Sequence, residues 1–441
     1  MSKDKLLVNF SFIMKGGLVL ACIFSFFVSS SFCQAEDAMV LPKGRFMTCL
    51  DFQIYPSWSK QYNDQGNEED LDFDYNRDLD KQVIPALAGF ETPAAKTAMG
   101  LPNNYKASFG QSIVDFKKES VITNILLSYG VTDKISLGLK VPYWNFTTKV
   151  KTALDKNSAT VAKNPAFPAT DPTNPLLPTP VLAGPPFNLT PAQIDTYKLT
   201  RDDILDLLSG GIPTLGMPGY GYKRLETWSD SGLGDIDLAM KYQYLKNSLW
   251  RLGLQGGIRF PTGQEDDPDN LVDYGFGGGN YDLFLGFQND YLGFKNLALN
   301  GSIRYTNQLP DKTTLRTPED INQPLTANKE RVDRDQGDVL EMEFSAIYSF
   351  PAGFGLNATY AALFKAQDSV KGAGGHIDSL EDETDQVGHT FLVGASYNTI
   401  TRFQQKKALV PYQISLSYWD RFDGRNMNKA SYYSVKGALF F

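Results

Sequence analysis

The sequence predicts an all-β fold, an antiparallel transmembrane β-barrel. Three observations carry the prediction: segments that alternate apolar and polar residues, aromatic residues gathered at the ends of those segments, and a last segment that stops on Phe441. Successive strand side chains point to opposite faces, so alternation gives each segment one apolar and one polar face. A soluble sandwich would alternate in the same way, and the other two observations separate the readings.

The first 35 residues read as a secretory signal. Lys3, Lys5 and Lys15 precede an apolar run, 16–27, and small and polar residues lead to Cys33-Gln34-Ala35, with cleavage expected after Ala35. Met14 is an alternative start. Val19-Leu20-Ala21-Cys22 fits a lipidation site loosely, but the apolar run continues past Cys22. The run is short of the ~20 residues that a retained helical anchor needs.

Composition narrows the class. Two of the three cysteines lie in the signal, so Cys49 has no partner for an internal disulfide and no cysteine-based metal site is possible. The signal carries three Lys and one Asp, so its loss takes the formal charge from −8 to −10. An acidic secreted chain excludes nucleic acid as an expected partner. Mean hydropathy is −0.28, and no run beyond Ala35 has the length and hydropathy of a membrane helix. A membrane protein of this composition must cross with strands, in which only alternate positions are apolar.

The alternation is clearest in the second half of the chain. Ile236, Leu238, Met240, Tyr242 and Tyr244 interleave with Asp235, Asp237, Ala239, Lys241 and Gln243. Trp250, Leu252, Leu254, Ile258 and Phe260 interleave with Arg251, Gln255 and Arg259. The same pattern recurs over 297–306 and 339–348. Tyr129, Tyr143, Tyr244, Trp250, Phe260, Tyr348, Phe350, Phe354, Tyr397, Tyr412 and Tyr418 fall at strand ends on the apolar face, as the two headgroup-level girdles of a membrane barrel require.

Short connections (130–134, 246–249, 291–296, 351–353) are expected to be periplasmic turns. Long ones (147–225, 264–279, 308–336, 368–386) are expected to be extracellular loops. Tyr433, Val435, Gly437, Leu439 and Phe441 share one face of the final segment and resemble the C-terminal signal read by the barrel assembly machinery.

The strands expected are 46–55, 107–129, 135–146, 234–245, 250–261, 281–290, 297–307, 339–350, 354–364, 388–398, 412–421 and 431–441. Both ends of such a barrel lie in the periplasm, so the count must be even. Twelve follows if 107–129 is one strand projecting beyond the membrane. Splitting it at Lys117-Lys118-Glu119, with a further strand near 220–228, gives 14.

Several of these segments carry a resemblance. Tyr129-Gly-Val-Thr-Asp-Lys-Ile-Ser-Leu-Gly-Leu-Lys-Val-Pro-Tyr143, Ser231-Gly-Leu-Gly-Asp235, Arg259-Phe-Pro-Thr-Gly263 and Gly278-Gly-Asn-Tyr-Asp282 resemble an outer-membrane transporter family named for the meta-pathway of phenol degradation. The opening Leu41-Pro-Lys-Gly-Arg-Phe46 and Tyr62-Asn-Asp-Gln-Gly66 are similar to the family's start. The resemblance implies a barrel of the outer membrane that passes aromatic or other hydrophobic compounds. It supplies no catalytic or binding residues, and the 147–225 insert is longer than the family pattern.

By strand phase Asp235, Asp237, Lys241, Arg251, Arg259, Asp282, Arg304, Glu341 and Glu343 face inward. Charges of both signs there line a polar constriction or, alternatively, a salt-bridged network that fills a narrow barrel. Phe284, Ile347, Leu392 and Trp419 also fall inward.

Nine prolines between Pro165 and Pro191 read as an extended, poorly packed loop. Thr190 with Pro191, and Thr200 with Asp203, read as caps of two short helices. The second helix needs burial for Ile204, Leu205, Leu207 and Leu208, in the barrel mouth as a lid or against other loops. The acidic runs 68–80 and 265–269 suit divalent cations or lipopolysaccharide bridging but lack EF-hand spacing, and a solvated loop is the simpler reading. The Gly275–Gly279 run lacks a P-loop lysine.

Catalysis by a Ser–His pair needs a histidine that can take a proton from the nucleophile, and the sequence has only His376 and His389. His376 sits in a glycine-rich loop. His389 is placed as an outer-membrane phospholipase would place it, but Phe391 stands two residues on where a serine is needed. The sequence therefore predicts no catalytic residue, metal or cofactor. It predicts a passive channel whose partners are outer-membrane lipid and lipopolysaccharide, the assembly machinery and a small solute. A plugged structural or adhesive barrel is the alternative.

Overall fold

The structure is a computed structural model that describes residues 37–168, 171, 174–212, 217–319 and 325–441. The signal expected over 1–35 lies outside the described residues.

Twelve antiparallel strands form the barrel: β1 (Phe46–Trp58), β2 (Ser108–Thr132), β3 (Ile135–Asp155), β4 (Ile236–Lys246), β5 (Trp250–Phe260), β6 (Asp282–Phe294), β7 (Leu297–Gln308), β8 (Val339–Ser349), β9 (Phe354–Lys365), β10 (Gln386–Asn398), β11 (Tyr412–Arg425) and β12 (Ser431–Phe440). Each pairs with its sequence neighbours, and β1 closes the cylinder on β12, from Met47 opposite Phe440 to Ile54 opposite Tyr433. Closure removes the unpaired edges that lipid would leave unsatisfied.

The outside is apolar. Every strand presents an exposed hydrophobic side chain near mid-height, among them Phe52, Ile125, Met240, Leu285, Ile303, Phe344, Leu356, Val393, Leu416 and Val435. A continuous apolar belt of this extent is far beyond the patches a water-soluble monomer tolerates, which rules out the sandwich.

Aromatic rings edge the belt on both sides. Toward the short turns lie Trp250–Tyr291 (4.7 Å between centroids), Tyr348–Phe350 (4.8 Å), Phe354–Tyr397 (4.8 Å) and Phe46–Phe441 (6.5 Å). Toward the long loops lie Phe260–Tyr281 (6.0 Å) and Tyr360–Phe422 (6.4 Å). In the short turns Asn296 and Ala352 take left-handed backbone, φ 64° and 74°, the conformation a tight reversal demands.

Three differences from the sequence reading bear on the upper barrel. β2 is one strand, as a count of 12 required, but has 25 residues and ends at Thr132, and β3 runs on to Asp155 rather than stopping at Phe146. The two stay in register from Gln111 opposite Asp155 down to Thr132 opposite Ile135, broken only by one irregularity at Gly130. About 9–11 residues suffice to cross the bilayer, so the upper hairpin stands clear of it. The third difference is a strand at Trp228–Leu233, which pairs with 143–148 and continues the line of β4 upward. The line breaks at Gly234, where a Cβ would lie 2.4 Å from the Trp144 ring nitrogen. The extra segment sought near 220–228 is therefore the top of an existing strand, and the barrel count stays at 12.

The long loops are folded. Inside 308–336, Asp311–Arg316 pairs with Lys329–Asp335, and Ser369–Lys371 from the next loop joins as a third strand. The proline-rich stretch is not poorly packed: Val161, Leu176, Leu182 and Leu199 are buried with Ile84, Leu87 and Phe109 or with Ile194. Proline withdraws backbone donors from any ladder, but here its apolar neighbours supply a core. The two expected helices form at Pro191–Tyr197 and Arg201–Gly210, each with a reciprocal cap, Thr190 with Gln193 and Thr200 with Asp203.

Candidate functional site in the barrel lumen

The inner face divides into three levels, set by strand register above the short turns. Nearest the turns the lining is polar and holds the start of the described chain. The Ala38 N–H donates to both Asp290 carboxylate oxygens (3.1 and 3.2 Å). Gln243 Nε2 donates to the Ala38 carbonyl (2.6 Å), and Lys241 Nζ to the Asp37 carbonyl (2.7 Å). The Leu41 N–H reaches Ser136 Oγ (2.8 Å). Ala38 is wholly buried, packed on Gly253 and Gln288. Arg251 pairs with the far side of Asp290 at 2.9 Å.

Above this level runs a belt of ion pairs, which climbs to the upper ends of β5 and β6. Arg259 bridges Asp237 (Nε, 2.7 Å) and Asp282 (Nη1, 3.2 Å), and Lys140 approaches Asp237 at 3.9 Å. Arg304 pairs with Glu341 at 2.6 Å and lies over the Phe284 ring. On the opposite wall Lys436 faces Asp51 at 3.7 Å, and Asp51 also accepts from Ser434 and Gln53. On each wall these carboxylates and cations come from nearby strands, so each charge is met at short range. That is the arrangement a low-dielectric lining needs.

Above the belt the lining becomes aromatic. Tyr55 and Trp58 of β1, Phe146 of β3, Trp419 of β11 and Tyr432 of β12 form one buried cluster with Ile122 and Leu392. Trp419 and Tyr432 stack at 5.5 Å with 11° between planes. The 261–281 loop folds inward and lays Tyr274 on Phe146 at 4.4 Å and 7°. Between this wall and Glu341 and Glu343 is an open cavity, also lined by Leu363, Thr390 and Arg421. A planar ring can stack on its aromatic side while a hydroxyl reaches toward the carboxylates.

The sequence-predicted residues fall into this frame unevenly. Asp237, Arg259, Asp282, Arg304 and Glu341 meet in the belt. Arg251 and Lys241 lie below it. Glu343 lines the cavity. Asp235 lies at the upper end and does not face the passage: its carboxylate accepts the Gly263 and Gly278 N–H groups (2.9 and 2.8 Å) and so pins the 261–281 loop. Phe284, Leu392 and Trp419 are inward and buried.

Tyr433, Val435 and Leu439 sit on the lipid-facing side of β12 with Gly437 between them, and the Phe441 N–H closes onto the Phe46 carbonyl at 2.8 Å. His389 lies in the outer girdle, hydrogen-bonded to Tyr360 Oη at 2.7 Å with Phe364 and Phe422 around it. Among the described residues no group of His, Cys, Asp or Glu is placed to hold a metal.

Sequence reasoning missed the partners rather than the charges. Lys140, Asp51, Lys436 and Asp290 share the inward phase of their strands, and phase alone would have found them. Tyr55 and Tyr432 carried a signal too, as aromatics on the face opposite the girdle rings. The Asp37–Ala38 contact had no local signal, because its partners lie more than 200 residues away.

The fold is that of a known channel. The chain is similar to an outer membrane channel from Pseudomonas putida F1 with a TM-score of 0.51 at 12% identity, covering 93% of this chain and 100% of that one. The Ralstonia pickettii toluene transporter TbuX aligns over 92% and 91% of the two chains at 10% identity, but its TM-score of 0.31 carries no argument. No curated protein matches in sequence. The sequence profile of the family described as the MetA-pathway of phenol degradation matches residues 190–412, half the chain. The chain belongs to that family.

Proposed function

We propose that the protein is a passive channel of the outer membrane for small hydrophobic compounds, aromatic ones foremost, and has no catalytic role. The observation that carries this reading is the luminal cavity, with stacked rings on one wall and carboxylates on the other. Such a lining suits a neutral ring with one polar substituent, and membership of a phenol-degradation family agrees with it. The solved relative is named as a channel.

In this reading the apolar belt meets lipid and the loops meet lipopolysaccharide. Tyr433, Val435, Gly437, Leu439 and Phe441 present the assembly signal, and residues 1–35 direct export.

The mature chain, refolded into planar bilayers, should give small discrete conductance steps that phenol reduces. Proteoliposomes should take up phenol faster than empty vesicles. A correctly folded barrel that neither conducts nor speeds phenol entry would overturn the proposal. A plugged structural barrel is the second reading, favoured by the ion-paired belt and by Ala38 held in the lower lumen.

A further inference from the structure

The upper hairpin, the loops and the helix Arg201–Gly210 border a second, partly open cavity, separate from the luminal one. Its walls are Leu79 and Val83, Val114 and Leu154 from the inner face of the β2–β3 hairpin, Leu208 from the helix and Leu271.

The polar side chains on the wall have partners within the protein. Asp74 pairs with Arg77 at 3.3 Å, and Ser112 Oγ donates to the Tyr75 carbonyl at 2.6 Å. Arg201 Nε donates to Thr152 Oγ1 at 2.6 Å, and Tyr75 Oη to the Leu271 carbonyl at 3.4 Å. An entering molecule therefore meets carbon surface and committed dipoles. A charged or strongly hydrated solute would lose its water there without replacement, whereas an uncharged hydrocarbon sheds apolar surface.

The position gives the pocket a use. Leu205 and Leu208 of the helix pack with Val114, Phe116 and Leu225, and this cluster shares Leu71 and Trp228 with the luminal aromatic cluster. Apolar surface is thus continuous from the pocket to the rings above the ion belt.

We propose that this pocket is a capture site for small, uncharged, hydrocarbon-like solutes, at the outer mouth of the passage. The inference rests on the channel reading for its purpose, but its geometry stands alone. The site concentrates a sparingly soluble compound beside the lumen and turns away anionic analogues of the same size.

The test uses the full barrel in lipid nanodiscs, with 4-fluorotoluene binding followed by ¹⁹F NMR and empty discs subtracted. Wild type should show a saturable component that 4-fluorobenzoate lacks. Ile204→Trp and Leu208→Trp fill the pocket from two positions of one helix, and each should weaken binding about tenfold while the heat-dependent gel shift of a folded barrel persists.

Absence of a saturable component, equal binding of the anion, or wild-type binding in a folded Trp variant would overturn the proposal. The comparison of toluene with benzoate needs no variant and decides the matter if neither variant folds. Uptake into proteoliposomes separates the two readings. Binding without uptake counts against the channel alone, and uptake without binding counts against the capture site alone.

Discussion

The two halves of the lumen solve opposite problems with the same strands. In the lower and middle levels, carboxylates, guanidiniums and amines sit on adjacent strands and cancel at 2.6–3.9 Å. In the upper level the same inward phase carries rings, which find mates on the adjacent strand, as Trp419 does in Tyr432, and in a loop, as Phe146 does in Tyr274. Paired charge holds a lining in place and admits water. Stacked rings admit a planar guest by exchanging one ring contact for another. A passage built in this order would receive an apolar molecule from outside and release it across a polar threshold.

The contrast can be broken most strongly in the belt. Arg259→Met leaves Asp237 and Asp282 facing each other without their shared cation, and should lower stability to urea in vesicles by ~3–5 kcal/mol. A loss under ~1 kcal/mol would mean that lumen water already screens the pair.

Second in size is the lower constriction. Asp290→Asn removes a charge-assisted acceptor from the Ala38 N–H, an interaction worth ~1.5–3 kcal/mol. It should raise single-channel conductance and expose an Ala38→Cys thiol to a water-soluble reagent. Unchanged conductance and reactivity would show that the other contacts suffice.

In the upper half, Trp419→Ala deletes one face of the Trp419–Tyr432 stack. The affinity of phenol block should fall by ~0.5–1.5 kcal/mol, the worth of a ring pair, with little change in ionic conductance.

The smallest effect is pH-dependent and lies in the 261–281 loop. Burial, then the neighbouring Asp266, push the Asp273 carboxyl up to about 8. Its folded value exceeds the ordinary ~3.9, so the loop is best ordered below about 4 and loosens as pH rises toward 8, with no further change above. Hydrogen exchange at Tyr274 and Phe276, corrected for the intrinsic rate, should quicken over that window and lose the trend in Asp273→Asn.

The barrel was legible because lipid and lumen impose a period of two on every crossing, and Leu238, Met240 and Tyr242 against Asp237, Lys241 and Gln243 display it directly. What escaped was whatever the membrane does not dictate. Residues 147–155 alternate too weakly to signal a strand, yet their partners at 111–119 hold them in one. Asp235 has the inward phase of its strand, but nothing local reveals that the glycine N–H groups of a loop claim it. Capping boxes were readable, being four-residue chemistry. The burial of Leu176 and Leu182 was not, since prolines mask any periodicity.

The seam between β1 and β12 sets a timetable for assembly. Met47 and Phe440 lie far apart in sequence, and the ladder joining their strands depends on residues made early waiting for residues made much later. Until Phe440 arrives, β1 and whichever strand then ends the sheet are raw edges ready to pair with any other chain. Closure therefore comes late, and the period before it is when this protein most needs an escort.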